Sequence, residues 1–149
     1  MSVIPFDQRD GVIWFDGKLV PWKDAKIHVL THGLHYGSCI FEGERSYDGV
    51  IYKCTEHSQR LHKSAEIMDF TIPYSVAELD EAKYLCLKEN GLKDAYLRPV
   101  AWRGSEMMAV SGMNNTIHTA IAVWEWPSMF DMAAKLKGIR LDVADYRRP

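Results

Sequence analysis

Four groups of residues in this sequence carry side chains suited to chemistry. Tyr96 and Arg98 stand two apart in the run AYLRP, which has strand composition, so both leave on one face while Leu97 leaves on the other. A guanidinium beside a phenol suits planar anions: it can bind a carboxylate directly or orient a neighbour that does. An arginine on a half-solvated sheet shows the same spacing, and the pattern alone leaves both readings open. Arg60 follows His57 by one helical turn. Such an arginine is ordinarily solvated, but it becomes a candidate phosphate contact if the helix start faces a cleft. His32 and His35 could share a metal on a helix, yet glycines stand on both sides and too few ligands accompany them. Packed or loop-ordering histidines are the preferred reading. Tyr36, Phe41, Trp124 and Trp126 are either core or the lining of an apolar pocket, and the methionines of the 105–113 loop offer adaptable thioether contacts.

The elements that must position these groups follow from local signals. Val12 to Phe15 and Lys18 to Val20 flank Asp16-Gly17, a dipeptide that accepts the positive φ of a tight hairpin. Glycines at 33, 37, 43 and 49 make the next stretch a loop feeding a strand near Ile40 to Tyr47, and Asp48-Gly49 turns it into a second hairpin. Leu61, Ala65, Ile67 and Met68 fall at helical spacing and predict a helix over 56–70, with Thr55 placed to cap it. Ser75 and Glu78 form a capping box for a second helix over 76–90, whose stripe is Leu79, Ala82, Cys86 and Leu87 and whose stop is Gly91. Strands are predicted at 95–102, 116–126 and 139–143. Strands, two helices, then strands imply an α+β fold, a mainly antiparallel sheet with two helices packed on one face.

Composition bounds the function. The 149 residues suit one domain, and 47% hydrophobic with 26% charged residues is the profile of a folded chain. Net charge is -2, with Lys and Arg dispersed, which argues against nucleic acid as a partner. Three cysteines without a C-x-x-C spacing argue against a disulfide framework or a zinc ribbon, and read as reduced thiols of a cytoplasmic protein. The start has acids and a proline where a signal peptide is basic and then apolar, and no run reaches membrane-span length, so no membrane is expected.

The runs HGLHYGSCIFEGERSY, EHSQRLHKSA and AYLRP, in that order and joined by the early FDGKLVPWKDAKIHVL, resemble the N-terminal half of branched-chain aminotransferases, pyridoxal 5'-phosphate (PLP) enzymes of fold type IV. The resemblance runs from about Val12 to the last residue. It implies that Arg60 contacts the cofactor phosphate, that Tyr36 and Phe41 line the pocket for a branched side chain, and that Tyr96 and Arg98 sit near the substrate carboxylate. It implies further that Trp126 adds an apolar wall and that Met108, Ala109 and Val110 reach a neighbouring protomer's site, which makes a homo-oligomer the expected assembly. The implied substrates are leucine, isoleucine and valine with 2-oxo acids and glutamate. D-amino-acid aminotransferases share the overall fold but carry Arg-x-His where this chain has Tyr96-Leu97-Arg98, so the branched-chain reading is preferred over that alternative.

The sequence departs from the family pattern at Arg103-Gly104-Ser105-Glu106-Met107, where many members have a Gly-rich loop, and at Met129 or Phe130, where others carry a tyrosine. PLP transamination also needs a Schiff-base lysine, which moves the α-proton while the cofactor is the electron sink. None of the ten lysines has the family context, and the resemblance places that lysine about ten residues past Pro149. The expected organisation is a small domain over 1–130, with 131–149 beginning the connection to a lysine-bearing domain. On this expectation the chain alone is inactive and binds PLP weakly or not at all. A self-associating, non-catalytic module is the alternative from another class.

Overall fold

In the computed structural model, which describes residues 4–126 and 132–147, the elements run β1 (Val12–Phe15), β2 (Lys18–Pro21), α1 (His32–Tyr36), β3 (Cys39–Phe41), β4 (Glu44–Tyr47), β5 (Val50–Ile51), α2 (Cys54–Ile67), α3 (Val76–Glu89), β6 (Ala95–Arg103), β7 (Ile117–Trp124) and α4 (Met132–Lys137). Asp16 and Gly17 take φ of 47° and 88°, and Asp48 and Gly49 take 46° and 80°. Each pair supplies the two left-handed residues that a two-residue hairpin turn needs. The strands form one sheet in the order β2-β1-β7-β6-β4-β5, every pairing antiparallel, with β3 also paired to β6.

Strand alternation sorts the residues of β6 and β7 onto two faces. One face carries Leu97, Ala101, Ile121 and Val123 and packs with Trp14 against Leu61 and Ala65 of α2 and Leu79, Ala82, Cys86 and Leu87 of α3. Each fully buried leucine or isoleucine there contributes about 1.5–3 kcal/mol. This is the α+β layer expected from the sequence, with both helices on one side. The opposite face carries Arg98, Val100, Trp102, Ala120 and Ala122, which floor an apolar hollow of about 350 Å³ beside Ile27, Gly33 and Leu34.

Helix α3 begins with the predicted capping box: Ser75 Oγ accepts from the Glu78 amide, and the Ser75 amide donates to the Glu78 carboxylate at 2.7 Å. Helix α2 starts earlier than its apolar pattern suggested. Lys53, at φ 55°, is the residue before it and makes no side-chain cap, while Thr55 lies inside the helix and donates to Asp80 of α3 at 2.7 Å. The glycine-rich stretch also contains the short helix α1, ended by Gly37 at φ 67°. The expected strand from Ile40 to Tyr47 is divided into β3 and β4 without a change of register, Phe41 facing Val100 and Glu44 facing Leu97. At the break the Glu42 amide donates to the Pro99 carbonyl at 2.9 Å, and proline has no amide to return the bond.

The strand expected at 139–143 is not formed. Ile139, Leu141 and Val143 are all exposed, Val143 by 92%, because alternation builds a strand only where a neighbour pairs with it, and no described strand lies alongside. Met129, Phe130 and the expected domain limit at 130 lie outside the described residues.

Candidate active site

On the hollow-bearing face, register brings the residues of the AYLRP run against those of the FEGER run. Tyr96 pairs with Arg45 on one side and with Trp124 on the other. Arg98 Nη2 donates to the Tyr96 hydroxyl at 2.8 Å, and the guanidinium lies 4.2 Å from the centre of the Phe41 ring. The Tyr96 ring packs against both Trp124 and Trp126, at 4.9 and 5.1 Å between centroids, with the two indoles 6.3 Å from each other. Arg45 Nη1 donates to the Trp126 carbonyl at 3.2 Å, which ties the tryptophan segment to β4. Gly43 is required here, because a Cβ at that position would overlap the Tyr96 hydroxyl. Arg98 Nε is buried without a partner among the described residues. The arrangement is a cation held by a phenol within aromatic walls, chemistry that suits a carboxylate attached to an apolar group.

Arg60 stands on the helix-bearing side of the same strand. Its Nε and Nη2 donate to Glu42 Oε1 and Oε2 at 2.7 and 2.5 Å, a two-point fork. His57 Nδ1 lies 2.8 Å from Glu42 Oε2. Burial alone would raise the Glu42 pKa, but hydrogen bonds from Arg60 and His57, with their charges, hold it below the usual carboxylate range. An ionised carboxylate only accepts, so His57 Nδ1 carries the proton it shares with Glu42. The Glu42 side chain is 5% exposed and that of Arg60 65%, so a fixed acid anchors an outward-facing cation.

Tyr36 packs on His32, 4.6 Å between ring centres. His32 is buried, with Nδ1 2.6 Å from Ser38 Oγ and Nε2 3.0 Å from the Ala109 carbonyl. A carbonyl can only accept, so Nε2 bears the proton and Nδ1 accepts from the Ser38 hydroxyl. This histidine therefore orders a loop, fixing Ala109 between the exposed Met108 and Val110. His35 Nε2 lies 2.9 Å from the Val29 carbonyl. Where the sequence departs from the family's Gly-rich loop, Arg103 is buried and donates to the carbonyls of Gly112 and Asp69 at 2.8 and 2.6 Å, while Asn115 Nδ2 donates to those of Gly104 and Met107.

Of the residues singled out in the sequence, Phe41, Tyr96, Arg98 and Trp126 form one cluster, and Tyr36 joins the loop of Met108, Ala109 and Val110 through His32. Arg60 is separate, connected to the first cluster through Glu42, the residue between Phe41 and Gly43. Glu42 and Gly43 were not singled out as site residues. Their only signal was an acid-glycine pair at a position where strand alternation would bury the acid.

The model of the family described as amino-transferase class IV matches residues 39–149. The chain belongs to the class IV aminotransferases. It is 44% identical to the branched-chain-amino-acid aminotransferase of Pseudomonas aeruginosa over 144 residues, covering 94% of this chain and 47% of that protein. With the Escherichia coli K12 enzyme of the same name it shares 39% identity over 141 residues, covering 91% and 46%. The crystal structure of an Escherichia coli branched-chain amino acid aminotransferase superposes with a TM-score of 0.79 at 39% identity, covering 85% of this chain and 43% of that one. The branched-chain aminotransferase of the thermophilic archaeon Thermoproteus uzoniensis, crystallised with norvaline, gives 0.75 at 32% identity, covering 80% and 42%. The chain thus spans about half the length of these class IV relatives. No helix among the described residues is long and apolar enough to cross a membrane, and no group of three metal-ligating side chains occurs among them.

Proposed function

We propose that this chain contributes the N-terminal half of a branched-chain aminotransferase site, with residues 1–130 as the small domain and 131–149 beginning the connection to the next. The carrying observation is the cluster of Arg98, Tyr96, Phe41 and Trp126, a guanidinium fixed by a phenol inside apolar aromatic walls. An amino acid with a branched aliphatic side chain presents the matching pair of features, a carboxylate and an apolar body. In this reading Arg98 and Tyr96 hold the carboxylate while Phe41, Tyr36 and Trp126 bound the side chain. Met108, Ala109 and Val110 extend toward the site of a second copy, so the assembly is a homo-oligomer.

The residues present fit the phosphate end of PLP. Arg60 Nη1 is free of hydrogen-bond partners among the described residues, while Glu42 holds Nε and Nη2 and His57 Nδ1 lies 3.2 Å from Nη2. PLP, when bound, supplies the electron sink for amino transfer between leucine, isoleucine or valine and 2-oxoglutarate. Lys83 cannot serve as the Schiff-base lysine, since it is fully buried and 2.8 Å from Glu44. We assign that lysine to a part of the enzyme outside these residues, and on this reading the 149-residue chain alone has no turnover.

The test has two parts. With PLP added, the purified chain should give no borohydride-reducible Schiff-base absorbance of defined stoichiometry and no leucine-dependent turnover of 2-oxoglutarate; turnover would overturn the assignment of the lysine. Titration with 4-methylvalerate, a branched carboxylate without an amino group, should move NMR signals of Arg98, Tyr96 and Phe41, and an Arg98→Met variant should abolish the response. An equal response in that variant would remove the carboxylate role.

A further inference from the structure

We infer that Glu42 is a positioning residue for Arg60: it fixes which edge of the guanidinium is offered to an anion, and it couples that edge to the strand that carries Phe41 and Gly43. The inference rests on the reading of Arg60 as a phosphate contact and adds the residue that aims it.

A guanidinium has a side edge, formed by Nε and one Nη, and an end edge formed by both Nη groups. Glu42 takes Nε and Nη2 together, which occupies the side edge and turns the end edge outward. An arginine on an exposed helix face otherwise samples many rotamers, and holding it for a ligand costs side-chain entropy at the moment of binding. The fork meets that cost during folding. Glu42 is itself immobilised, because its carboxylate is buried, its amide donates to Pro99, and His57 donates to the oxygen it shares with Arg60 Nη2. Phe41 and Gly43, its neighbours, point to the other face, where Phe41 lies under Arg98 and Gly43 leaves room for the Tyr96 hydroxyl. Three consecutive residues therefore set the relative positions of the proposed phosphate contact and the proposed carboxylate contact.

A carboxylate beside an anion site repels the anion, so the two consequences open to Glu42 have opposite signs. If Glu42 acts only through its charge, removing that charge tightens anion binding. If it positions Arg60, removing it weakens binding, because the Gln amide turns a donor toward Nη2 and breaks the fork. The experiment uses the whole ¹⁵N-labelled chain, with the Arg60 Nε–H resonance assigned by its disappearance in Arg60→Lys and inorganic phosphate as the probe. The wild type should show a sharp, slowly exchanging Nε–H signal and a phosphate response that Arg60→Ala removes. Glu42→Gln should lose that signal and bind phosphate about three- to tenfold more weakly, the scale of ordering one rotamer-rich side chain at the moment of binding. Glu42→Asp should recover part of both. An unchanged Nε–H signal with equal or tighter phosphate binding in Glu42→Gln would overturn the inference. If Glu42→Gln loses its dispersed spectrum, Glu42→Asp decides alone: a shifted Nε–H signal with weaker binding supports positioning, and wild-type behaviour refutes it. If the wild type shows an ordered Nε–H signal but no phosphate response that depends on Arg60, the phosphate reading fails while the Glu42 fork stands.

Discussion

Replacing Lys83 with methionine should be among the most damaging single changes to this fold, and the damage should depend on pH. Lys83 and Glu44 are both fully buried, with Nζ 2.8 Å from Oε1. Lys83 donates to Ser58 Oγ at 2.7 Å and to the Cys54 carbonyl at 3.3 Å, yet neither Glu44 oxygen receives a well-directed hydrogen bond among the described residues. Charge is therefore nearly all that compensates the Glu44 carboxylate. Burial pushes the Glu44 pKa up, and Lys83 opposes that without cancelling it. Removing one partner of such a pair costs about 3–5 kcal/mol, against a typical total stability of about 5–15 kcal/mol. Replacing both with apolar residues, as in Lys83→Met with Glu44→Leu, should recover most of the loss, because no charge is then stranded. In the wild type a raised folded-state pKa means that the Glu44 contribution is fully present below its usual 4.5 and is lost as pH rises through the folded value. Without Lys83 that value rises further, so the penalty should be large at pH 7 and shrink toward pH 5. Urea unfolding followed by tryptophan fluorescence at both pH values measures this. A Lys83→Met penalty below about 1 kcal/mol at pH 7, or one equal at the two pH values, would refute the reasoning.

Three further outcomes can be checked. Gly43→Ala should cost about 1–3 kcal/mol from overlap with the Tyr96 hydroxyl, and Tyr96→Phe in the same chain should return part of it, which a double-mutant cycle in urea detects; independent effects would show that the contact is not the cause. Of the three thiols, only Cys39 should react with Ellman's reagent in the folded chain at pH 8, because it alone is exposed, although partial burial raises its pKa too, while burial closes off Cys54 and Cys86 and pushes them up to about 12 and about 11; all three should react in urea. Stability should fall as pH drops below about 4.5 for the Glu42 contribution and below about 3.8 for that of Asp80: Glu42 is buried and Asp80 partly so, but both are held below their usual values by hydrogen bonds, Glu42 from Arg60 and His57 and Asp80 from Ser58 and Thr55. Glu42→Gln should flatten that acid limb, and a limb as steep as the wild type's would assign the loss to other groups.

What was legible in the sequence was what neighbours in sequence decide. The turns at Asp16-Gly17 and Asp48-Gly49 and the capping box at Ser75 and Glu78 each depend on two to four adjacent residues, and each is formed where predicted. What the sequence concealed depends on partners far along the chain. Lys53 precedes α2 without a capping side chain, and Thr55, Ser58 and Lys83 connect that first turn to Asp80 and Glu44. The strand expected at 139–143 has the right alternation and no described neighbour to pair with, so periodicity alone could not make it a strand. His32 showed two readings in the sequence, and only the fold brings Ser38 and Ala109 to its two nitrogens.

The candidate site divides the same way. Tyr96 and Arg98 share a face because strands alternate, which two-residue spacing already implied. Their relation to Arg60 could not be read from spacing, since it passes through Glu42, whose side chain leaves the strand on the side opposite Phe41 and Gly43. A pleated strand places consecutive side chains on opposite faces at nearly fixed separation, so one three-residue segment can serve two ends of a ligand without any flexible connection between them. Register with Val100 and Leu97 then fixes that segment in the sheet. If this is how the half-site is built, substitutions that disturb the register at Glu42 and Pro99 should weaken phosphate and branched-carboxylate binding together, whereas changes in Arg60 or Arg98 should each weaken one and spare the other.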